Sequence, residues 1–476
     1  MEREKAGKKG FSKIKSVFMG RVVTRVVAGL VLGAAVLSLS GCGLRQTDTT
    51  YKIDLEIWGI FDDSEALRQI IGQYKTLNPN VGNISYRKLA VDTYRQDLLD
   101  ALAAGNGPDI FLIRNSWTPA FADKIVTAPD TMIDERSYRN AFVDTVGDDF
   151  VTDDGKISGV VLSADSLALY YNKDLLAAAG ITAPPVTWDQ FQDDVRLLTR
   201  INSFGEITQS GAALGTATNI NRSTDVLSAL FLQNGVLVPR GNVRDLRLNA
   251  AAGANALSFY TQFANPTSSL YTWNPRMHYS IDSFYEGTAG MMINYSWHFD
   301  TIKRKNSKLN FAVSPLPQST GAQPFNFPNY WGFVVAKNKT APEGTQDTAL
   351  FDKIRIFESW QFLKYASFPP TGTVHLENAI TGNAKDFQSA FDPAAAYLAK
   401  TGAPAARRDL VEKQKTDPVL GPFADGNLIA RNWKQSDPES IEKILGDMIT
   451  SVNLGEATVN QALSIAESRI GQVERK

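Results

Sequence analysis

One cysteine and three histidines are all that a chain of 476 residues contains of the two softest metal-binding side chains. A single thiol, Cys42, excludes a disulfide framework, a cysteine-based zinc site and an iron–sulfur cluster. His278, His298 and His375 are scattered, which leaves little for a histidine-based metal site. No sign of charge dominates either: 49 Lys and Arg stand against 50 Asp and Glu, a net of −1, so a general nucleic-acid binder is not expected. The sequence also has no G-x-S-x-G elbow, no H-E-x-x-H pair, no Walker loop and no repeat at periods of 20–50 residues. What it has is the composition of a folded protein, 43% apolar and 21% charged. Its length suggests roughly two or three domains.

The near-neutral total hides an asymmetry. Residues 1–41 carry eight basic side chains, from Arg3 to Arg25, against Glu2 and Glu4, so that segment is net +6 and the remainder net −7. After Arg25 come fourteen uncharged residues, Val26–Leu39. As a helix they span about 21 Å, short of a bilayer core of about 30 Å. A basic stretch, a short apolar core and small residues at its end describe a secretory signal, with a permanent membrane anchor as the alternative. Leu39-Ser40-Gly41-Cys42 resembles a bacterial lipobox, in which the leader is cut before Cys42 and its thiol takes lipid. Residues 42–50 then read as a lipidated cysteine and polar tether. The mature chain is expected outside the cytoplasmic membrane, held by lipid.

From Lys52 onward, strand and helix patterns alternate. Ile53, Leu55 and Ile57 alternate at period two, and Ser64 is the expected cap of a helix with apolar Leu67, Ile70, Ile71, Tyr74 and Leu77. Ile84 and Tyr86 mark a second strand. Tyr94, Leu98 and Leu102 mark a second helix that stops at Gly105. Ile110–Ile113 is an unbroken apolar run, as in buried parallel strands. This β-α-β-α-β order implies a parallel sheet with its ligand crevice beyond the strand ends, where Asp62 and Asp63 lie. The same two acids would also complement a helix dipole. Val160–Leu162 reads as a strand, Thr187 with Gln190 as a capping box that makes Trp188 first-turn packing, Trp360 as core of a Phe351–Ala366 helix, and Ile441–Ile470 as two helices broken at Gly455.

Six segments in order carry a resemblance. Leu102–Phe111 (LAAGNGPDIF), Asp165–Leu176 with Pro184–Phe191, Ser283–Trp297 (SFYEGTAGMMINYSW), Tyr330–Lys337, Thr401–Leu410 and Leu454–Leu463 resemble landmarks of the carbohydrate-type, maltose-binding-protein-like extracellular solute-binding proteins of ABC importers. The resemblance spans residues 52–472 and implies an α/β, two-lobe periplasmic-binding-protein-like fold. Each lobe would be a mainly parallel sheet flanked by helices, and the two would be joined by a multi-strand hinge. Lobe I is expected to comprise residues 51–163 and about 334–370, lobe II about 164–333 and 371–476. Crossings are expected near 163–166, near 330–334 and within roughly 367–402, with 371–400 as an insertion. The family's usual Gly-Pro before the first crossing is Gly159-Val160 here, and an aromatic near the third strand is replaced by Ile113.

Sugar sites combine aromatic platforms with carboxylates and amides that bind hydroxyls. The resemblance implies Trp297 as a stacking platform, Asp165 as an acceptor of hydroxyl protons at the first crossing, and Tyr330 with Trp331 at the second. Trp117, Asp62 and Asp63 lie on loops near the crevice. Trp58, Asn294, Trp273 and Trp433 are weaker candidates, and His298 reads as surface. The expected role is a receptor with no catalytic residue, cofactor or metal. It would bind a small solute, a mono- or oligosaccharide, and hand it to an ABC permease; no nucleic acid is expected, and monomer is the default. A peptide, polyamine or phosphorylated polyol, or a sensor role, would suit the same fold. A glycan-acting enzyme would need two carboxylates flanking a scissile bond, and no hydrolase motif surrounds Asp62, Asp63 or Asp165.

Overall fold

A computed structural model describes residues 51–237 and 246–474. The leader, Cys42 and the tether lie outside the described residues. Lys52–Lys476 form one compact unit built on two five-stranded sheets.

The first sheet runs in the order β2 (Val81–Lys88), β1 (Ile53–Gly59), β3 (Ile110–Arg114), β10 (Trp331–Ala336), β4 (Ile125–Val126). β1 pairs parallel with β2 and β3, and β10 returns antiparallel between β3 and β4. The apolar run Ile110–Ile113 is fully enclosed, as an unbroken run requires. The helix after β1, Ser64–Leu77, buries Ala66, Leu67, Ile70 and Tyr74. Its cap is Asp63, not Ser64: the Asp63 carboxylate accepts from the Glu65 amide at 3.0 Å. An aspartate one position earlier satisfies the orphan donor, and Ser64 becomes the first helical residue.

The second sheet runs β6 (Arg200–Ile201), β7 (Ile207–Ala213), β8 (Ala289–Asn294), β5 (Ala168–Asn172), β9 (Phe311–Pro315). It is more mixed than the expected mainly parallel sheet. Only β7 and β8 pair parallel, and β5 runs antiparallel to both neighbours. β5 leaves the first crossing directly, without the crossover helix that parallel pairing demands. The helix Trp188–Leu198 packs here through Trp188, Phe191, Val195 and Leu198. Thr187 accepts from the Gln190 amide, while the Gln190 side chain reaches back to Val186 N. Trp188 Nε1 donates to Gln233 at 2.6 Å, so this indole is core packing. Burying four such side chains contributes roughly 6–12 kcal/mol before entropy.

Isolated bridges mark the crossings between the sheets. The expected strand Val160–Leu162 is only a bridge, Val160 to Phe333, and Ser166 bridges Pro328. The ring of Phe150 lies on two glycines of these crossings. A Cβ at Gly159 would come within 2.6 Å of it, and one at Gly332 would overlap it. Backbone approach this close is what glycine permits there.

The third crossing lies later than expected. After the helix Thr348–Ser367, residues 371–402 form the hairpin β11 (Thr373–Glu377) and β12 (Ala384–Gln388) and the helix Pro393–Thr401. That helix packs on Ser64–Leu77 of the first lobe, and Gln361 holds Glu377. This segment therefore belongs to lobe I rather than lobe II. The crossing itself is marked by the bridges Ser163–Ala405 and Asn326–Ala430, with Asn427 donating to Ala164 O at 2.7 Å. The helix Gly421–Ile429 straddles the hinge, touching β5, β9 and the Asp144–Phe150 helix. Two helices, Pro438–Asn453 and Val459–Val473, then close lobe II, separated at Gly455 with φ 71°.

Candidate functional site

Between the lobes lies a small cavity lined by Arg114 and Asn115 from the end of β3, Asp225 from the start of the Ser223–Gln233 helix, Asn432 and Gln435 from the third crossing, and Glu442 from the Pro438–Asn453 helix. These polar groups share the lining with the apolar Phe327, Pro328, Ile441 and Leu445, and each polar group comes from a strand end, from near a helix start or from a crossing. This is where the open ends of an α/β sheet face a ligand.

An aromatic wall stands on lobe I. Trp331 meets Trp117 edge-on at 5.0 Å and Phe61 at 5.4 Å between ring centroids, and Trp117 stacks on Phe121 at 5.7 Å. Phe61 is 54% exposed, so one face of this wall is open to solvent. Lobe II offers a second platform. Trp297, 43% exposed, stacks on Tyr295 at 4.6 Å and 17°. The Tyr295 hydroxyl donates to Asp225 Oδ2 at 2.9 Å, which connects the platform to the cavity wall. Such a stack holds the indole flat at a cost below that of ordering it alone, with about 0.5–1.5 kcal/mol from the ring pair.

The other expected residues have their polar atoms engaged within the protein. Asp165 is buried and accepts from Ser166 N, Ser296 N and Ser296 Oγ at 2.9, 2.9 and 2.6 Å. Burial nevertheless pushes its carboxyl up to about 7. It ties the first crossing to the turn that carries Trp297. Tyr330 is buried and donates to Asp149 Oδ2 at 2.6 Å. Asn115 and Asn432 donate to that same carboxylate, so Asp149 joins the end of β3 to the second and third crossings. Asp62 accepts from Tyr397 at 2.7 Å, and burial raises its carboxyl against the effect of that bond. Asp63 is spent on its helix cap.

Of the weaker candidates, Trp58 lies buried beneath Arg87, Trp273 is fully buried with its Nε1 on Asn219, and Trp433 and Asn294 are buried. His298 is partly buried beside Trp297, and burial followed by the Arg222 charge lowers its pKa to about 4, so it is neutral at pH 7.

Several residues at the cleft escaped sequence reasoning. Arg222 precedes the Ser223–Gln233 helix at φ 60°, the only non-glycine residue with positive φ among those described. Such strain collects at ligand-facing sites. Phe61 was visible only as the neighbour of Asp62. Glu439 follows Pro438 in a helix first turn, where acids are ordinary, and Glu442 lies one turn further on. Among the described residues no group of three His, Cys, Asp or Glu side chains is placed to hold a metal, and no helix is long and apolar enough to cross a membrane.

Residues 69–350 match the family described as bacterial extracellular solute-binding protein. The chain is 24% identical to the maltodextrin-binding protein MdxE of Bacillus subtilis over 356 residues, 71% of this chain and 78% of that one. Its fold is similar to that of the sugar-binding protein MalE from Xanthomonas citri, with a TM-score of 0.67 at 17% identity over 88% of this chain and 97% of that one. It is likewise similar to the cyclic alpha-maltosyl-1,6-maltose binding protein from Arthrobacter globiformis, with a TM-score of 0.66 at 19% identity over 89% and 99%.

Proposed function

Since the chain belongs to the bacterial extracellular solute-binding protein family, we propose that it captures a carbohydrate between its two lobes and delivers it to an ABC permease. The observation that carries this reading is a pair of aromatic surfaces, one on each lobe, each tied to a polar residue of the cavity between the lobes. Phe61 and Trp331 stand on one lobe, with Trp331 paired to the cavity residue Arg114, and Trp297 stands on the other, stacked on the Tyr295 that donates to the cavity residue Asp225. Sugars have apolar C–H faces and polar edges, and this arrangement offers a surface to each. The names of several relatives, maltodextrin-binding and cyclic maltosyl-maltose-binding among them, support an oligosaccharide.

The protein does no covalent chemistry on its solute in this reading. A solute touching both lobes favours the closed arrangement because only that arrangement makes all its contacts. Trp297, Trp331 and Trp117 act as platforms. Asp165 and Tyr330 act through the hinge, by holding the Ser296 turn and the Asp149 junction. The lipobox-like Leu39–Cys42 supports anchoring through a lipid on Cys42, which would keep the receptor beside its permease outside the cytoplasmic membrane.

A thermal-shift screen against mono- and oligosaccharides, polyamines and short peptides tests the reading. A ligand at a hundredfold excess over Kd stabilises the native state by about 2.7 kcal/mol. That moves the midpoint of a protein this size by a few degrees. A shift with one sugar class is expected. A flat response to every sugar together with a shift from a peptide or polyamine overturns the carbohydrate assignment.

A further inference from the structure

Three contacts cross the cleft, and all end near the start of one helix, on Glu439 in its first turn and Glu442 just beyond it. Glu439 Oε1 accepts from Trp117 Nε1 at 2.7 Å and lies 3.9 Å from Arg95 Nε. Glu442 Oε2 lies 3.6 Å from Arg114 Nη1. The i, i+3 spacing sets both carboxylates on one face of Pro438–Asn453. That helix is rooted in the lobe II core by Ile441, Ile444, Leu445 and Met448. The three partners belong to lobe I, at the end of β3 and on the helix Tyr94–Ala103.

With these contacts made, the cavity measures about 30 Å³. That is room for a water molecule or two and not for a sugar ring. The seam is also imperfectly matched: Arg95 Nε and Ser116 Oγ are buried beside it without a hydrogen-bond partner. Buried polar atoms in native proteins are nearly always paired, so this seam is a poorer partner for lobe I than a hydroxyl-bearing solute would be. The carboxylates themselves are about two-fifths exposed, so salt reaches them.

We propose that Glu439 and Glu442 form a cross-lobe latch that holds the empty cleft shut and that the solute displaces on entry. The proposal rests on the reading that the solute lies between the lobes. The latch lowers the apparent affinity for solute by the fraction of molecules it keeps shut, and it keeps Trp117 buried until solute arrives.

Small-angle scattering of the solute-free protein tests this without knowledge of the ligand. Wild type is compared with Glu439→Ala/Glu442→Ala and with the shape-preserving Glu439→Gln/Glu442→Gln at about 0.1 M and about 1 M salt, where the Debye length falls from about 10 to about 3 Å. The open-to-shut ratio is expected to rise about tenfold in the alanine pair, the loss of one charge-assisted hydrogen bond. Its radius of gyration should exceed that of wild type at low salt. Wild type should expand at high salt by more than either variant, each of which keeps the Arg431–Asp144 and Lys434–Asp153 pairs. Equal radii for wild type and both variants at low salt overturn the latch. A persistent radius difference, with no sugar shifting the melting midpoint of either protein, leaves the latch standing and overturns the carbohydrate reading instead.

Discussion

Asp165→Asn tests whether burial or hydrogen bonding governs the carboxylate at the first crossing. Three donors point at this group: Ser166 N, Ser296 N and Ser296 Oγ. Such donors favour the ionised form, while burial opposes it, and burial prevails, pushing the carboxyl from 3.8 up to about 7. The sign follows from proton binding. Between about pH 4 and pH 7 the folded state holds a proton that the unfolded chain has released, so stability falls as pH rises. The contribution is fully present below the unfolded value and lost as pH rises through about 7. At about 1.4 kcal/mol per pH unit, this one group removes about 3 kcal/mol between pH 5 and pH 8.

Asparagine is close in shape to the protonated acid and carries no charge at any pH. Near pH 5 the variant should therefore match wild type to within about 1 kcal/mol. Near pH 8 it should be more stable than wild type by about 3 kcal/mol. Asp149, also raised to about 7, contributes a similar slope to both proteins and cancels in the difference. Urea unfolding at the two pH values, with m compared to confirm the same transition, measures it. A variant less stable than wild type at pH 8 would refute the reasoning, because the three donors would then hold an ionised carboxylate that an amide cannot replace.

Trp297→Ala should abolish most of the solute-induced thermal shift while moving the solute-free midpoint little, since the ring is 43% exposed and its main partner is Tyr295. A loss of solute-free stability well above the 0.5–1.5 kcal/mol of an aromatic pair would instead make it a structural residue. In the wild-type protein the N-terminal peptide should begin at Cys42 and carry a lipid mass, and Cys42→Ala should abolish both the lipid and the cut, measured by mass spectrometry. A wild-type protein that keeps an intact leader and an unmodified Cys42 would favour the transmembrane alternative.

The elements that matched expectation are those whose causes act within one turn of helix or one strand. Gly105, Gly180 and Gly455 all take positive φ where helices were expected to stop. The capping pair at Thr187 and Gln190 starts its helix, and the apolar run Ile110–Ile113 is buried on both faces. The limits of such reasoning are equally local. Asp63 rather than Ser64 caps its helix because two good capping residues stand side by side, and only the backbone path chooses between them. Residues 371–402 looked like part of the far lobe because nothing within them records that the Pro393–Thr401 helix packs on Ser64–Leu77.

The sequence by itself determined the two-lobe α/β plan, the aromatic supply and the family, because six landmark segments keep their order and their local chemistry. The tertiary structure alone decided which polar groups remain for a solute. Asp165, Tyr330 and Asp62 each spend their polar atoms on partners 131, 181 and 335 residues away. Trp117 finds Glu439 at a separation of 322. Local propensity decays over a few residues, whereas a hydrogen bond asks only that two groups meet in space. Which groups meet is set by how the crossings stack the sheets, and no pattern within a single segment encodes that.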